Sequence, residues 1–204
     1  MATMVLPDPE TDGHVSVEQA IAARASRRSF ADRPITAGDA GQLLWAAQGI
    51  THGRMGVEMR ASPSAGATYP LVAFLVVRNG DGLDPGVYRY DPADHALTSV
   101  VAADGYEALV RAAGGQDVVR AAPATLVLAA NYDRTTREYP AHGERYVHME
   151  AGHAAENVHL ACEGRGLATC PVGAFDDAML SSTLDLPADL APLYLLPFGY
   201  PSGT

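Results

Sequence analysis

Arginine and serine side chains are concentrated in one short segment near the N-terminus. Residues 24–30 read R-A-S-R-R-S-F and place Arg27, Arg28 and Ser29 side by side. Guanidinium groups bind phosphate through forked, charge-assisted hydrogen bonds, and a neighbouring serine hydroxyl can add a donor. Cations are also favourable at the C-terminal end of a helix, where they offset the helix dipole. The segment therefore predicts either a phosphate clamp or a solvated helix end.

A second segment consists mostly of small residues. Residues 62–70 read S-P-S-A-G-A-T-Y-P and come directly before an apolar run. Small side chains around a proline allow a backbone to approach a flat ligand closely, and Ser64 and Thr68 offer hydroxyl groups. The same composition is also ordinary for a loop that enters a strand, so the pattern alone leaves both interpretations open.

A third segment follows a long alanine-rich stretch. Residues 171–175 read P-V-G-A-F, a turn of small residues with free backbone N–H groups at Gly173 and Ala174. Such N–H groups can donate hydrogen bonds to a bound molecule. The alanines before the turn predict a helix that another helix can approach closely, as in a dimer core.

The histidines in the alanine-rich stretch suggest a metal site that the spacing then excludes. Two E-x-x-H sequences end at His153 and His159, the pattern of carboxylate-bridged di-iron proteins. Both lie on one predicted helix, six residues apart, and therefore point about 120° away from each other. We predict no metal site.

Phosphate-binding loops of the G-x-x-x-x-G-K-[ST] type, dinucleotide fingerprints and nucleophile elbows are also missing from the sequence.

The elements that must position these segments mix helices and strands irregularly. Without a repeated βαβ alternation, the pattern favours the α+β class. We predict one domain over residues 1–204, with 1–13 as a flexible N-terminal extension. Capping boxes, helical spacing and apolar runs predict helices at 16–25, 36–49, 106–113 and 142–163 and strands at 69–77, 87–90, 96–101, 125–130 and 193–198.

The overall charge restricts the possible partners. The 204 residues contain 14 basic and 24 acidic side chains, a formal charge of −10. Nucleic-acid binding requires a basic face, so we expect no nucleic-acid partner. The sequence shows no signal peptide and no apolar run of about 18 residues, which predicts a cytoplasmic protein without a membrane partner.

In their order and spacing, these segments resemble the nitroreductase superfamily of flavoproteins, most closely its SagB-type (SagB/ThcOx-like) FMN-dependent dehydrogenase branch. The resemblance runs from R-R-S-F through S-P-S-A-G-A-T-Y-P and E-A-G-H-A-A-E-N-V-H-L to P-V-G-A-F and the terminal L-Y-L-L-P-F-G-Y-P. It implies a nitroreductase-like fold, with a central, mainly antiparallel sheet flanked by helices. It also implies an intertwined homodimer that holds FMN at its interface.

The resemblance implies three groups of cofactor contacts. The group that binds the FMN phosphate and ribityl chain is Arg27, Arg28 and Ser29. The group that comes from the other subunit and covers the isoalloxazine is Pro63, Ser64, Ala65 and Gly66. The group that packs beside the ring is Pro171, Val172, Gly173 and Ala174, where Gly173 or Ala174 donates a backbone N–H to the flavin N5.

Departures from the family pattern bear on the reaction. Azole-forming SagB-type enzymes have a Lys-Tyr pair before the long helix, whereas this chain has Glu138 and Tyr139. Tyr139 stays a candidate proton donor or acceptor, but the lysine is absent. Asparagine and glutamine of the better-known nitroreductases are replaced by Ala67 and Tyr69, and the basic residue often found near the C-terminus is missing.

The resemblance implies hydride transfer through FMN. We expect a nicotinamide or organic electron donor and a small-molecule acceptor such as a nitro compound or a quinone. Two alternatives are a dehydrogenase that oxidises a peptide-derived or heterocyclic substrate, and a flavin- or peptide-binding partner subunit without turnover of its own.

Overall fold

The computed structural model describes residues 3–54, 56–101 and 105–203. The helices are α1 (Val17–Ala23), α2 (Ala37–Gln48), α3 (Gly105–Ala112), α4 (Asp117–Ala121), α5 (Asp133–Thr136), α6 (Gly143–Arg165) and α7 (Asp177–Thr183). The strands are β1 (Thr3–Val5), β2 (Ile35–Thr36), β3 (Ile50–Arg54), β4 (Val57–Arg60), β5 (Leu71–Val77), β6 (Gly80–Asp81), β7 (Gly86–Asp91), β8 (Ala96–Val101), β9 (Ala124–Ala130), β10 (Ala168–Thr169) and β11 (Ala191–Gly199).

Seven strands form the central sheet in the order β1-β8-β7-β5-β9-β11-β10. Every neighbouring pair in this sheet is antiparallel. β5 and β9 are buried at every position because helices cover both faces, which explains their continuous apolar sequences. This arrangement confirms the predicted α+β class with a mainly antiparallel sheet.

Alternate residues of β5 belong to two separate hydrophobic cores. Leu71 and Leu75 pack on the face that α2 and α6 cover. Phe74 and Val76 pack on the opposite face, with residues of α3, α4 and α7. The long helix α6 therefore lies on a different side of the sheet from α7.

Side-chain caps fix where the first two helices begin, as the sequence predicts. Ser16 and Gln19 form a reciprocal capping box at α1. At α2, the Asp39 carboxylate accepts the Thr36 backbone N–H at 3.0 Å, while the Asp39 N–H donates to the Thr36 hydroxyl at 3.0 Å. Both caps satisfy N–H groups that lack partners inside the helix.

The N-terminal segment is part of the fold rather than a flexible extension, from residue 3 onward. β1 pairs with β8 in the register Thr3↔Thr98, and Leu6 is buried. His95 Nε2 lies 2.9 Å from the Pro7 carbonyl. The predicted flexible extension does not fit residues 3–7, because β8 and a core site offer them partners that the local sequence does not show. Residues 1 and 2 of the predicted extension lie outside the described residues.

Several elements were missed by the sequence analysis. The described side chains of the hairpin of β3 and β4 are exposed or half-buried, and the hairpin lacks the continuous apolar sequence of the central strands. Helix α7 has an N-cap signal that could have revealed it, because the Asp176 side chain accepts the Met179 N–H at 2.8 Å. In the described part of the chain, no helix is both long and apolar enough to cross a membrane.

Candidate functional site

The R-R-S segment lies at the edge of the central sheet beside β10. Ser26 forms a parallel bridge with Thr169, and the Arg27 N–H donates to the Thr169 carbonyl at 3.0 Å. The Ser29 carbonyl accepts the Ser202 N–H at 3.2 Å. The backbone of the segment is thus held firmly, while Arg28 and Ser29 stay exposed.

The two adjacent arginines have different surroundings. Arg27 forms an ion pair with Glu163 of α6 and donates to the Ala23 carbonyl at 3.0 Å. Within the described residues, the Arg28 side chain makes a single long contact, 3.4 Å to the Ser26 carbonyl. The Glu163 carboxylate already offsets the charge of Arg27, so Arg28 is the guanidinium better able to bind an anion.

The turn at 171–174 presents unpaired backbone donors. Val172 exchanges two backbone hydrogen bonds with Leu195, at 2.8 and 3.0 Å, and the Ala174 carbonyl accepts from Gln116 at 2.8 Å. Gly173 and Ala174 are exposed, and their N–H groups donate to no described residue. The flanking bonds hold the turn in place, which suits a fixed donor for a flavin nitrogen.

An open cleft of about 390 Å³ lies between α6 and β11, lined by His148, Ala151, Gly152, Leu193 and Tyr194. A Cβ atom added to Gly173 would have the Tyr194 ring as its nearest neighbour, at 3.9 Å. The cleft therefore borders the 171–174 turn, and its volume lies in the range of about 300–1,000 Å³ that is typical of ligand sites. A larger cleft of about 620 Å³, between α3 and α7, contains none of the predicted site residues.

The loop that contains Pro63, Ser64, Ala65 and Gly66 is tied to α2 and α6. Asn157 of α6 donates to the Ala61 carbonyl at 3.2 Å and to the Ala46 carbonyl at 3.1 Å. Pro63 and Gly66 are exposed, and Ser64 and Ala65 are half-buried.

The backbone of this loop is unusual. Gly66, Ala67 and Tyr69 have φ angles of 59°, 52° and 44°, in the left-handed region that residues other than glycine seldom adopt. The Ser64 hydroxyl accepts the Tyr69 N–H at 2.9 Å and closes the loop. Such strained backbone is typical of functional sites.

Tyr139 lies against this loop. A Cβ atom on Gly66 would be 2.7 Å from the Tyr139 hydroxyl oxygen, so only glycine fits there without a shift. The Tyr139 ring packs edge-to-face on Tyr146 of α6, with centroids 5.3 Å apart. The structure thus brings the candidate proton donor together with the loop that the resemblance assigns to the isoalloxazine.

A buried carboxyl group behind the loop was missed as a site residue. Glu150 of α6 is only 3% exposed, and burial raises its pKa to about 7 against the lowering effects of Ser64 and Arg60. In the sequence, Glu150 stands out only as part of an E-x-x-H pattern. Its place among the inward-facing positions of α6, with Val147 and Ala151, is the signal that could have indicated burial.

The predicted contacts form two groups in a single chain. Gly66 adjoins Tyr139, whose ring packs on Tyr146 of α6, whereas Arg27 lies beside Glu163. Tyr146 and Glu163 are seventeen residues apart on α6, which corresponds to about 25 Å at 1.5 Å per residue. One group therefore combines the loop with Tyr139, and the other places the R-R-S segment at the C-terminal end of α6.

Comparison with known proteins identifies the family. A family model described as "Nitroreductase family" matches residues 21–200. The chain belongs to the nitroreductase family. A candidate nitroreductase of Methanocaldococcus jannaschii is 40% identical over 194 residues, 95% of this chain and 94% of the relative. A candidate nitroreductase structure from Ralstonia eutropha superposes with a TM-score of 0.84 at 30% identity and covers 99% of this chain and 90% of that one.

Membership of this family confirms the predicted superfamily and makes the protein an oxidoreductase. The microcin B17-processing protein McbC of Escherichia coli is 29% identical over 147 residues, 69% of this chain and 54% of McbC. A structure from Desulfovibrio desulfuricans in complex with FMN has a TM-score of 0.66 at 19% identity and covers 92% of this chain and 87% of that one. The likeness to the Desulfovibrio structure shows the fold alone. Membership of the SagB-type branch stays a prediction.

Proposed function

We propose that this protein is an FMN-dependent oxidoreductase in which two copies together enclose each flavin. The observation that carries the proposal is the separation of about 25 Å along α6 between Tyr146, on which Tyr139 packs beside the Gly66 loop, and Glu163, which forms the ion pair with Arg27. The resemblance assigns the 62–70 loop to the other subunit. A second copy would therefore place its loop beside the 171–174 turn and the arginines of the first copy.

The residues of one chain fit the phosphate and the ring edge of FMN. The Arg28 guanidinium has no ion pair in the described residues and suits the phosphate. The free N–H groups of Gly173 and Ala174 suit an acceptor atom on the ring. When bound, FMN would supply the hydride chemistry, and the chain would supply orientation, phosphate binding and exclusion of water.

Exposed apolar residues support the second copy. Val17 and Ile21 of α1 are 65% and 59% exposed, and Met149 of α6 is 52% exposed. Helix α1 packs against α6, and Gly152 of α6 has open space where its side chain would be. Apolar side chains on neighbouring helices are a surface that a partner can cover.

For the substrates, we favour a nicotinamide donor followed by a nitro compound, quinone or similar acceptor at the same face of the flavin. Glu138 stands where azole-forming relatives have lysine, so the base assigned to azoline oxidation is absent. Tyr139 stays the candidate proton donor, since its hydroxyl adjoins the loop. Among structural neighbours, the NADPH:FMN oxidoreductase of Vibrio harveyi was solved with NAD⁺ bound.

The similarity to McbC favours a second candidate function. McbC is named as a microcin-processing protein, and its solved structure is a complex with two other proteins and a truncated precursor. A dehydrogenase that acts on a peptide-derived or heterocyclic substrate, or a partner subunit without turnover, would agree with that similarity.

Anaerobic reduction of the reconstituted protein tests these alternatives. The protein is loaded with FMN and titrated with NADH and with NADPH while the flavin absorbance is followed. Bleaching by either nicotinamide supports the reductase. A flavin that both leave oxidised, but that a heterocyclic peptide reduces, supports the dehydrogenase. Failure to bind FMN at all overturns the proposal.

A further inference from the structure

The central sheet has a gap between β5 and β7. The antiparallel pairing of these strands ends at Phe74↔Arg89, although three residues of β5 precede Phe74 and two residues of β7 follow Arg89. β5 stays paired with β9 over its whole length, and β7 stays paired with β8 up to Asp91. The ends of the two strands therefore diverge, and a cavity of about 100 Å³ lies beside residues 71–73 of β5 and Tyr90 of β7.

Three arginine side chains line this cavity and reach it from different elements: Arg60 of β4, Arg89 of β7 and Arg134 of α5. Arg89 stands opposite Phe74 in the register, so both side chains lie on the same face of the sheet, the one that α3, α4 and α7 cover. Arg60 belongs to the other face, because its Nη1 donates to the Gln48 side chain of α2 at 2.8 Å. The guanidinium groups therefore approach the gap from both faces of the sheet.

Arg60 and Arg134 are held in place beside each other. The Arg134 Nη1 donates to the Tyr69 carbonyl at 3.0 Å, and the Arg60 guanidinium lies over the Tyr69 ring, 4.9 Å from its centroid. Burial and then the charge of Arg134 lower the pKa of Arg60, and the Glu150 carboxyl opposes this effect. The two cations therefore repel each other at the cavity.

The positive charge at the gap is not neutralised by ion pairs. Within the described residues, none of the three arginines forms one, although the chain has a formal charge of −10. Guanidinium groups bind phosphate and carboxylate through charge-assisted, forked hydrogen bonds. An oxyanion in the cavity would accept such bonds and offset the repulsion among the three cations.

The size of the cavity suits a single oxyanion group. Its volume corresponds to roughly three water molecules. A second cavity of about 450 Å³ adjoins it, because Arg89, Tyr90 and Pro92 line both. A ligand whose charged group lies in the gap can therefore extend into the second cavity.

The second cavity combines apolar side chains with two carboxylates. Phe74, Val100 and Pro187 provide the apolar part, and Asp91 and Asp185 provide the charged part. Apolar surface favours an organic body. The carboxylates repel a second anionic group, so the ligand should carry one anionic group only.

We propose that the gap between β5 and β7 binds a small organic molecule that has a single phosphate or carboxylate group. Arg60, Arg89 and Arg134 would hold the oxyanion, and the second cavity would hold the organic body. Strands β9 and β11 lie between β5 and β10, and the R-R-S segment lies beside β10. The gap is therefore separate from the phosphate clamp proposed at Arg28, and binding there does not require the flavin of the proposed function.

Titration with inorganic phosphate tests the arginine site. Calorimetry is made on the FMN-saturated protein, whose clamp at Arg28 is then occupied, at an ionic strength held constant with sodium chloride. We expect one saturable site per chain in the wild type. Arg89→Ala should weaken phosphate binding about ten-fold or more, the effect of losing one hydrogen bond to a charged group. Arg89→Lys, which keeps the charge but loses the fork, should be intermediate.

Arg89 suits this test because it is exposed and has no ion pair within the described residues, so its replacement should leave the fold intact. Arg111→Ala is the matched control, since Arg111 is also exposed and lies outside both cavities. This variant should bind phosphate as the wild type does. Equal phosphate affinity in the wild type and Arg89→Ala, or no saturable binding in the wild type, overturns the proposal.

Paired probes identify the oxyanion and test the organic body. Phenyl phosphate is compared with inorganic phosphate, and benzoate with acetate. In the pair that fits, the probe with the phenyl ring should bind about ten-fold more tightly, because the ring buries apolar surface in the second cavity. Preference for the phosphate pair identifies a phosphomonoester ligand, and preference for the other pair identifies a carboxylic acid. Equal affinities within both pairs overturn the placement of an organic body there.

A repeat without flavin separates this site from the proposed function. Arg28→Ala is titrated with phosphate in the absence of FMN, and we expect the affinity of the FMN-saturated wild type. Loss of phosphate binding in Arg28→Ala would assign the anion to the clamp and overturn the site in the gap. A protein that binds no FMN overturns the proposed function, while the comparison of Arg28→Ala with its Arg89→Ala double variant still decides whether the gap binds phosphate.

Discussion

The Tyr139 hydroxyl oxygen lies 2.7 Å from the point where a Cβ atom on Gly66 would be. Gly66 belongs to the loop that the resemblance assigns to the flavin ring, and Tyr139 comes directly after the position where related enzymes have lysine. The two residues are 73 positions apart in the sequence, and the contact holds the tyrosine against a backbone that has a positive φ angle. A side chain at Gly66 would therefore displace the candidate proton donor.

Replacement of Gly66 by alanine should be more destabilising than the same change at Gly82. Both glycines have positive φ angles, 59° and 73°, but Gly82 has no atom within 4 Å of its Cβ position. Gly82→Ala measures the backbone strain alone, on the order of 1–3 kcal/mol. Gly66→Ala should lower the free energy of unfolding by about 1–2 kcal/mol more, because the tyrosine must shift. Urea unfolding measures both values.

A double-mutant cycle shows whether the hydroxyl is responsible. The added Tyr139→Phe change removes the atom nearest to the new Cβ and should recover part of the extra loss. Equal losses for Gly66→Ala and Gly82→Ala would show that Tyr139 does not occupy the described position.

Removal of the Arg28 guanidinium should weaken FMN binding. Arg28→Ala is expected to reduce the affinity by about 1.5–3 kcal/mol, the scale of a hydrogen bond to a charged group. Fluorescence titration with FMN measures the change. Arg137→Ala is the control, because Arg137 lies in an exposed ion pair with Asp133 and outside the predicted clamp. If both variants bind FMN as tightly as the wild type, Arg28 has no place in the phosphate site.

Valine at position 173 tests the location of the flavin ring. A Cβ on Gly173 would meet only the Tyr194 ring, at 3.9 Å, which is ordinary van der Waals contact. The folded chain should therefore tolerate Gly173→Val, whereas a bound ring beside the turn would be crowded by the β-branched side chain. We expect FMN binding and turnover to fall about ten-fold or more, with unfolding changed by less than about 1 kcal/mol.

Gly13→Val provides the comparison for this change. Gly13 also has open space around its Cβ position, and it lies near the start of α1 rather than in the turn. The Gly13→Val variant should bind FMN normally. Full flavin colour and turnover in Gly173→Val would place the ring elsewhere.

The proposed homodimer should depend on the apolar surface of α1. Ile21 is 59% exposed on α1, which packs on α6, and Met179 is 44% exposed on α7, beyond the opposite face of the sheet. A charge at a buried interface position is strongly unfavourable. Ile21→Glu should therefore shift the protein to monomers and lower FMN occupancy, while Met179→Glu should sediment as the wild type does. A dimer that survives Ile21→Glu would move the interface away from α1.

Features of the fold that depend on residues close together in the sequence could be predicted from it. The capping boxes at Ser16 and Thr36 and the apolar run of β5 are examples, because each is fixed within a few residues. Strand β1 could not be predicted in this way. It has three residues and is stabilised by pairing with β8, which lies more than 90 positions later.

The same limit applies to the candidate site. The segments that contain Arg28, Ser64 and Gly173 can be singled out by local composition, but their assignment to a flavin rests on the resemblance and stays a prediction. The ion pair of Arg27 with Glu163 spans 136 positions, so no local pattern could show that one arginine is already neutralised. Likewise, the burial of Glu150 depends on how the loop packs on α6, and the sequence shows only a glutamate in a helix.

The stability of the protein should fall as pH rises through neutrality because of Glu150. Its pKa is about 7 in the folded chain and near 4.3 when unfolded. Between these values the folded state binds more protons, so the free energy of unfolding decreases with pH and levels off above about pH 7. The loss is at most about 4 kcal/mol at 1.36 kcal/mol per pKa unit.

Glu150→Gln isolates this contribution. The amide cannot ionise, so the variant should match the wild type near pH 4.5, where the carboxyl is protonated in the folded state, and exceed it above pH 7 by up to about 4 kcal/mol. Glu156→Gln, which changes an exposed carboxyl on the same helix, should follow the wild-type curve. Chemical unfolding at a series of pH values measures all three proteins. Parallel curves for the wild type and Glu150→Gln would mean that Glu150 ionises as freely in the folded chain as in the unfolded one.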